Sequence, residues 1–201
     1  MSDNPPEKAL TADTTSPQAL NPGHQNENPR GIGFWGLVQE DFKTHECDFF
    51  AQGFWALFWH RFGNWRMSVR PQLLRLPVSL FYKMMYKSCQ WFGGIDLPYT
   101  TYVGRRVKLE HFGGMILVAQ SIGDDVIIRQ NTTFGIVHTN SIAGRPVIGN
   151  GVDIGAGAVL IGDITLGDGA KIGANAVVLS NVAAGCVAVG VPARIIKRPQ
   201  E

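Results

Sequence analysis

A chain of 201 residues, 45% hydrophobic and 17% charged, can bury a core; it is bounded at one domain with extensions or two small ones, not a wholly disordered chain. Its net charge of +2 is too small to argue for nucleic acid. The cysteines, Cys47, Cys89 and Cys186, are odd in number with no CxxC and no histidine at ligand spacing, so neither a disulfide framework nor a structural zinc site follows, and a reducing compartment is the easier reading.

Residues 1–30 are rich in Pro, Asn, Thr, Gln and Glu and almost lack large apolar side chains, the composition of a disordered tail. The first twenty residues have neither a basic n-region nor an apolar stretch, so no secretory signal is expected. No run reaches the roughly 18 uninterrupted apolar residues of a membrane span. A cytoplasmic protein is the expectation.

A helical segment is predicted over 31–94. In FFAQGFWALFWHRFGNWRMSVR, Phe50, Phe54, Leu57, Phe58 and Trp65 recur at intervals of three, four or seven, and VSLFYKMMYKSCQWF reads as a further helix, with Pro71 and Pro77 as punctuation. From Arg61 to Lys87 there are six basic residues and no acidic one. The plain reading is aromatics packed on the neighbouring domain with solvated charges; the other is a basic, aromatic surface on an anionic membrane, at its inner face, or against a lipid-linked substrate.

From 95 to 201 a period of six takes over. Aliphatic residues recur at Ile148, Ile154, Leu160, Leu166, Ile172 and Val178, and small or β-branched ones four places on, at Val152, Ala158, Ile164, Ala170, Ala176 and Val182. Ile122, Ile128 and Phe134 keep the step, as do Val103 and Leu109. This is the pattern of a parallel β-helix, three hexads per coil of about eighteen residues, each aliphatic side chain pointing inward. Phe134 and Ile148 are fourteen residues apart where twelve would keep phase, so GIVHTNSIAGRPV is expected to leave the solenoid as a loop.

These repeats, with the closing VGVPARIIKR of 189–198, resemble the hexapeptide-repeat acyltransferases, whose fold is a left-handed parallel β-helix. DLPYTTYVGRRVKLEH is similar to the element that precedes the repeats in the serine O-acetyltransferase-like branch, and WHRFGNW of 59–65 is similar to its upstream helix, so the resemblance covers roughly residues 55–198. It implies an all-β left-handed β-helix after a small N-terminal helical segment, and acetyl-CoA as co-substrate with no metal.

By motif position the resemblance makes His111 a general base and Asp96 the carboxylate that orients it. Their gap of fifteen residues is three short of a coil, which suits adjacent coils. Glu110 neighbours His111, but alternation turns it to the opposite face. The CoA groove is expected between coils of neighbouring subunits in a homotrimer: Ala156 and Ala174 let the pantetheine arm approach, and Lys171, Arg194 and Lys197 meet the phosphates. His138 and Arg145 in the loop are candidates for the acceptor.

One element departs from serine acetyltransferase: its RHP reads GRP here, with Gly144 for the arginine and Arg145 for the histidine. The helical region before the repeats is also shortened. Both favour a sugar hydroxyl as acceptor, in the manner of the polysaccharide-biosynthesis O-acetyltransferases. Serine itself, a non-catalytic scaffold and a γ-carbonic-anhydrase-like zinc hydratase are the alternatives; the last needs three histidines, and the repeats contain only His111 and His138.

Overall fold

The computed structural model describes residues 23–136 and 144–196. Three helices, α1 (Phe34–Thr44), α2 (Gln52–Trp65) and α3 (Gln72–Ser88), lead into a prism of fifteen short strands. The first turn is β1 (Ile95–Asp96), β2 (Tyr102–Val103) and β3 (Lys108–Glu110), and the second is β4 (Met115–Leu117), β5 (Ser121–Ile122) and β6 (Ile127–Arg129). The third turn is β7 (Thr133–Gly135), β8 (Val147–Ile148) and β9 (Asp153–Ile154), and the fourth is β10 (Val159–Ile161), β11 (Thr165–Leu166) and β12 (Lys171–Ile172). The last turn holds β13 (Val177–Val178) and β14 (Val187–Val189), and β15 (Arg194–Ile196) folds back antiparallel onto β14.

Strands of equal place in each turn stack in parallel, giving a first sheet β1-β4-β7-β10-β13, a second β2-β5-β8-β11 and a third β3-β6-β9-β12-β14-β15. This is the parallel β-helix that the hexads predict, the left-handed fold that the resemblance implies, of about five turns. One aliphatic ladder lines each sheet: Leu117, Phe134, Leu160 and Val178; Val103, Ile122, Ile148 and Leu166; and Leu109, Ile128, Ile154 and Ile172. All are buried, and each such side chain contributes about 1.5–3 kcal/mol on leaving water.

The loop is larger than the spacing suggested. Ser121 pairs with Val147, 26 positions on, whereas Val147 pairs with Thr165, 18 on. Phe134 and Ile148 therefore occupy consecutive faces, and the turn carries eight extra residues rather than two. Fourteen exceeds six and twelve by numbers that differ by one whole hexad, so only pairing reveals how many faces are crossed. Of this loop, residues 137–143 lie outside the described residues, and so does His138.

A solenoid's first turn exposes the unpaired side of three sheets, and the helices close it. Val103 and Gly104 end β2; their carbonyls accept from the Arg61 guanidinium at 2.6 Å each. Arg61 is fully buried and its Nε donates to Asp41 of α1 at 3.0 Å. On β3 the Leu109 N–H donates to His45 Nε2 at 3.2 Å, while His45 Nδ1 donates to the Asp41 carbonyl. Just before β2, His60 Nε2 donates to the Thr101 carbonyl at 2.9 Å. Leu57 and Ala56 of α2 complete the hydrophobic core at this end. Gly53 lets α2 come so close: a Cβ there would meet the Leu109 carbonyl at 2.3 Å.

Several expectations for the helical segment change. Arg61 and Arg66 are internal, Arg66 lying 4.1 Å over both the Tyr82 and Tyr99 rings. Pro77 does not end a helix but lies inside α3, where the carbonyl it leaves unpaired, that of Leu73, belongs to an exposed residue. Phe50 precedes α2 and is exposed rather than packed. Residues 23–30, expected in the tail, are docked: the Glu27 N–H donates to Asn64 Oδ1, the Asn28 amide to the Arg61 carbonyl and the Tyr99 hydroxyl to the Gly23 carbonyl. Polar side chains there find backbone partners on α2 that composition does not reveal. Residues 1–22 lie outside the described residues.

Burial, reinforced by the neighbouring Arg61 charge, pushes the His60 imidazole down to about 3, and burial also lowers that of His45. Both rings are neutral in the fold, but the unfolded chain takes up protons below about pH 6.5. Their contribution to stability is thus complete above that pH and drains as pH falls toward the folded values, by about 1.4 kcal/mol per pH unit for His60. Urea midpoints measured from pH 7 to 4.5 should fall steeply for the wild type and less steeply for His60→Gln, which keeps a donor for Thr101 but has no charge to gain. Equal slopes would clear His60 of the effect.

Candidate functional site

The chemistry-bearing residues gather along one edge of the prism, where the third sheet turns into the first. His111 follows β3 at that corner, exposed, with φ +64°. The left-handed region costs a side chain with a Cβ about 1–2 kcal/mol. Arg106, Asp125, Asn131 and Asn175 share this left-handed conformation at other turns of the solenoid, so it belongs to the turns and does not by itself mark His111 for use. Gly113 then donates to the Gly93 carbonyl at 3.3 Å and Met115 to that of Gly94 at 2.8 Å. The backbones around 93–96 and 113–116 thereby run side by side, and Asp96 pairs in register with Ile116.

Asp96 is thus placed on the outer side of the first sheet, one turn from the corner that holds His111. Among the described residues no hydrogen bond joins the two side chains. The Asp96 Oδ1 instead accepts from the Tyr86 hydroxyl, which α3 delivers from outside the solenoid. Burial and the adjacent Asp96 carboxylate raise the Tyr86 hydroxyl far above its usual range, so it remains a donor. Tyr86 carries no sequence signal of its own; it emerges only when α3 is laid beside β1.

Glu110 faces outward from the third sheet, as alternation predicts. It pairs with Arg129 at 3.1 Å and Lys108 at 3.3 Å, and Arg129 also binds Asp153. Lys108 reaches Glu46 as well. The carboxylate beside the candidate base is therefore already matched by two cations.

Going up the same edge, the corner after His111 holds Gln130, the next Ala156 and the next Ala174. Gly157 donates to the Gln130 carbonyl at 2.9 Å and Asn175 to that of Ala156 at 2.8 Å. Ala156 and Ala174, expected to face the pantetheine arm, thus line up with His111 on one edge, and no side chain larger than a methyl stands at either corner position. Gln130 Oε1 is buried there with no hydrogen-bond partner among the described residues.

Lys171 is exposed in β12 and Arg194 exposed in β15, with β14 between them on the third sheet. Lys197 lies outside the described residues. Arg145 is half-buried where the loop enters β8, and its Nε has no hydrogen-bond partner among the described residues. That corner joins the first and second sheets, so within one chain Arg145 stands on the far margin of the first sheet from His111.

A β-helix of hexads with a histidine and small residues along one edge defines a class of proteins, and comparison with known proteins narrows it. Residues 145–180 match the family "Bacterial transferase hexapeptide (six repeats)". Serine acetyltransferase of Salmonella typhimurium is 35% identical over 151 residues, 75% of this chain and 53% of that one. WcaB of Escherichia coli K12, assigned as a colanic acid biosynthesis acetyltransferase, is 34% identical over 139 residues, 68% of this chain and 83% of that one. The structure of Brucella abortus serine acetyltransferase in complex with coenzyme A superposes with a TM-score of 0.64 at 25% identity, over 82% of this chain and 68% of that one. The chain belongs to the hexapeptide-repeat acetyltransferases, in the branch that holds serine acetyltransferase and WcaB. It spans only 53–65% of the length of serine acetyltransferases that it matches.

Asparagine tolerates the left-handed region better than histidine does. His111→Asn should therefore melt at or slightly above the wild-type temperature in a thermal scan. A clear drop would mean that the ring is there for packing.

Proposed function

We propose that the protein is an acetyl-CoA-dependent O-acetyltransferase whose acceptor is a sugar hydroxyl in glycan or polysaccharide assembly. The observation that carries this is the single edge on which the exposed His111 lines up with Ala156 and Ala174, one turn from Asp96. The coenzyme A complex of the Brucella enzyme supports the donor. A reaction that draws on acetyl-CoA fits the cytoplasmic location expected from the sequence.

His111 takes the acceptor's hydroxyl proton as that oxygen attacks the thioester carbon. The carbon–sulfur bond breaks, and the leaving thiolate recovers the proton from the imidazolium. Asp96 holds the ring's other nitrogen and stabilises its positive charge. With Oδ1 engaged by Tyr86, Oδ2 is the oxygen left for His111. Lys171 and Arg194, with Lys197, meet the CoA phosphates, and His138 and Arg145 contact the acceptor.

The position of Arg145 across the first sheet supports a site completed by a second chain, and hence a homotrimer. The outer side of that sheet also exposes Ile116 and Leu179, as a subunit face does.

A sugar is favoured over serine on charge. A serine acceptor brings an ammonium and a carboxylate, and Glu110, the acid next to the base, is occupied by Arg129 and Lys108. The extent of the WcaB match, 83% of that protein, points the same way. The likeness to serine acetyltransferase structures keeps L-serine as the second reading.

Thiol release from acetyl-CoA, measured with L-serine and with glycan precursors side by side, decides between them; faster turnover with serine reverses the choice. His111→Ala should lose about 10²–10⁴-fold in turnover with the best acceptor, the range of a general base. Undiminished thiol release in that variant would falsify the mechanism. Tyr86→Phe removes a donor that shares Asp96's charge, leaving the carboxylate a stronger partner for the imidazolium. The acid limb of kcat/KM should then move to higher pH while His111 remains essential; an unmoved limb would confine Tyr86 to packing.

A further inference from the structure

The outer face of α2 and α3 is apolar, aromatic and free of acid. On α3, Leu73, Leu76, Leu80 and Met84 point to solvent along one stripe, with Leu80 71% exposed. The chain continues into Trp91 and Phe92, 77% and 85% exposed. All five tryptophans of the protein, Trp35, Trp55, Trp59, Trp65 and Trp91, belong to the helical cap and none is fully buried. The rings of Trp59 and Phe62 on α2 meet Phe81 of α3, so the two helices present one continuous aromatic surface.

Charge on this face has one sign. No acidic residue occurs between Asp48 and Asp96. Glu40 and Asp41 of α1 turn into the solenoid, to Arg105 and Arg61. Lys83 and Lys87 flank the leucine stripe, both exposed. At the N-terminal end of α3 a cavity of about 440 Å³ is lined by His24, Arg70, Gln72 and Arg75, a basic setting that suits a phosphate headgroup.

We propose that α3, with the aromatic face of α2, docks flat onto an anionic lipid surface. Among the described residues no helix is long and apolar enough to cross a membrane, so the contact is interfacial. Leucines and tryptophans enter the headgroup–acyl boundary while Lys83, Lys87 and the basic cavity meet lipid phosphates. This contact goes beyond the proposed reaction and requires neither acetyl-CoA nor an acceptor. Because Tyr86 of the same helix holds Asp96, a docked α3 also sets the His111 edge beside the surface.

The full chain should co-sediment with phosphatidylcholine vesicles containing phosphatidylglycerol and bind pure phosphatidylcholine at least tenfold more weakly. Brominated acyl chains should quench its tryptophan fluorescence. Leu76→Glu/Leu80→Glu should abolish sedimentation without lowering the melting temperature, since both side chains already face water. Lys83→Glu/Lys87→Glu, which leaves the apolar stripe intact, should weaken binding and flatten its salt dependence. No sedimentation with the anionic vesicles overturns the proposal, as does equal binding to both vesicle types. If Leu76→Glu/Leu80→Glu lowers the lipid-free mass in light scattering, the face is a subunit contact and the proposal fails. None of these readouts depends on turnover, so they stand or fall apart from the acetyl-transfer assay.

Discussion

A stack of parallel strands has two ends, and an unprotected first turn would offer three rows of backbone groups to solvent or to another chain. Arg61 answers most of this at one point: one buried guanidinium serves two carbonyls after β2 and the Asp41 carboxylate at once. His45 and His60 extend the same solution to β3 and to the approach to β2. A charge so deep is tolerable only because its donors meet both a carboxylate and peptide oxygens. Removing one partner would strand the other, at a cost of about 3–5 kcal/mol.

This closure places the candidate site. Arg61 and Gly53 hold α2 against β2 and β3, α2 carries α3, and α3 presents Tyr86 to Asp96. The carboxylate thus belongs to the solenoid while its hydrogen-bond partner belongs to the cap. His111 stands at a corner just before Gly113 and Met115, whose N–H groups donate to the Gly93 and Gly94 carbonyls. The end of the cap therefore bears on both candidate groups, through Tyr86 on Asp96 and through the Gly93 carbonyl beside the His111 corner.

The hexads were legible because inward residues of a β-helix obey a strict step: Ile148, Ile154, Leu160, Leu166, Ile172 and Val178 are all buried where the period places them. Ala156 and Ala174 share an edge by the same step, but His111 joins it only through the pairing of β3, β6 and β9. What spacing could not yield is whatever depends on contacts between distant segments. Arg61 and Arg66 read as surface cations because nothing near them in the chain announces Asp41 or the Tyr82 and Tyr99 rings. The loop was undersized because a count modulo six is blind to a whole missing face. Tyr86 stayed hidden because its partner lies ten residues on, past a π-helical turn at Cys89–Gly93 that no periodicity encodes.

The charge pattern around the base bears on what the edge can accept. Glu110, Arg129, Asp153 and Lys108 form a chain of opposite charges along the outer side of the third sheet, each carboxylate matched by a cation. Drawing Glu110 away to hold a substrate ammonium would break its two ion pairs, with Arg129 and Lys108, although each cation keeps a second carboxylate, Asp153 and Glu46. A neutral polyol needs no such exchange. It requires one ionisable group to take its proton and donors or acceptors for its other hydroxyls, and Gln130 Oε1, buried on the corner next to His111 with no partner among the described residues, is an acceptor of that kind. On the proposed reading, neutral recognition beside His111 and positive charge on the cap would together suit an acceptor with an uncharged sugar on an anionic lipid carrier.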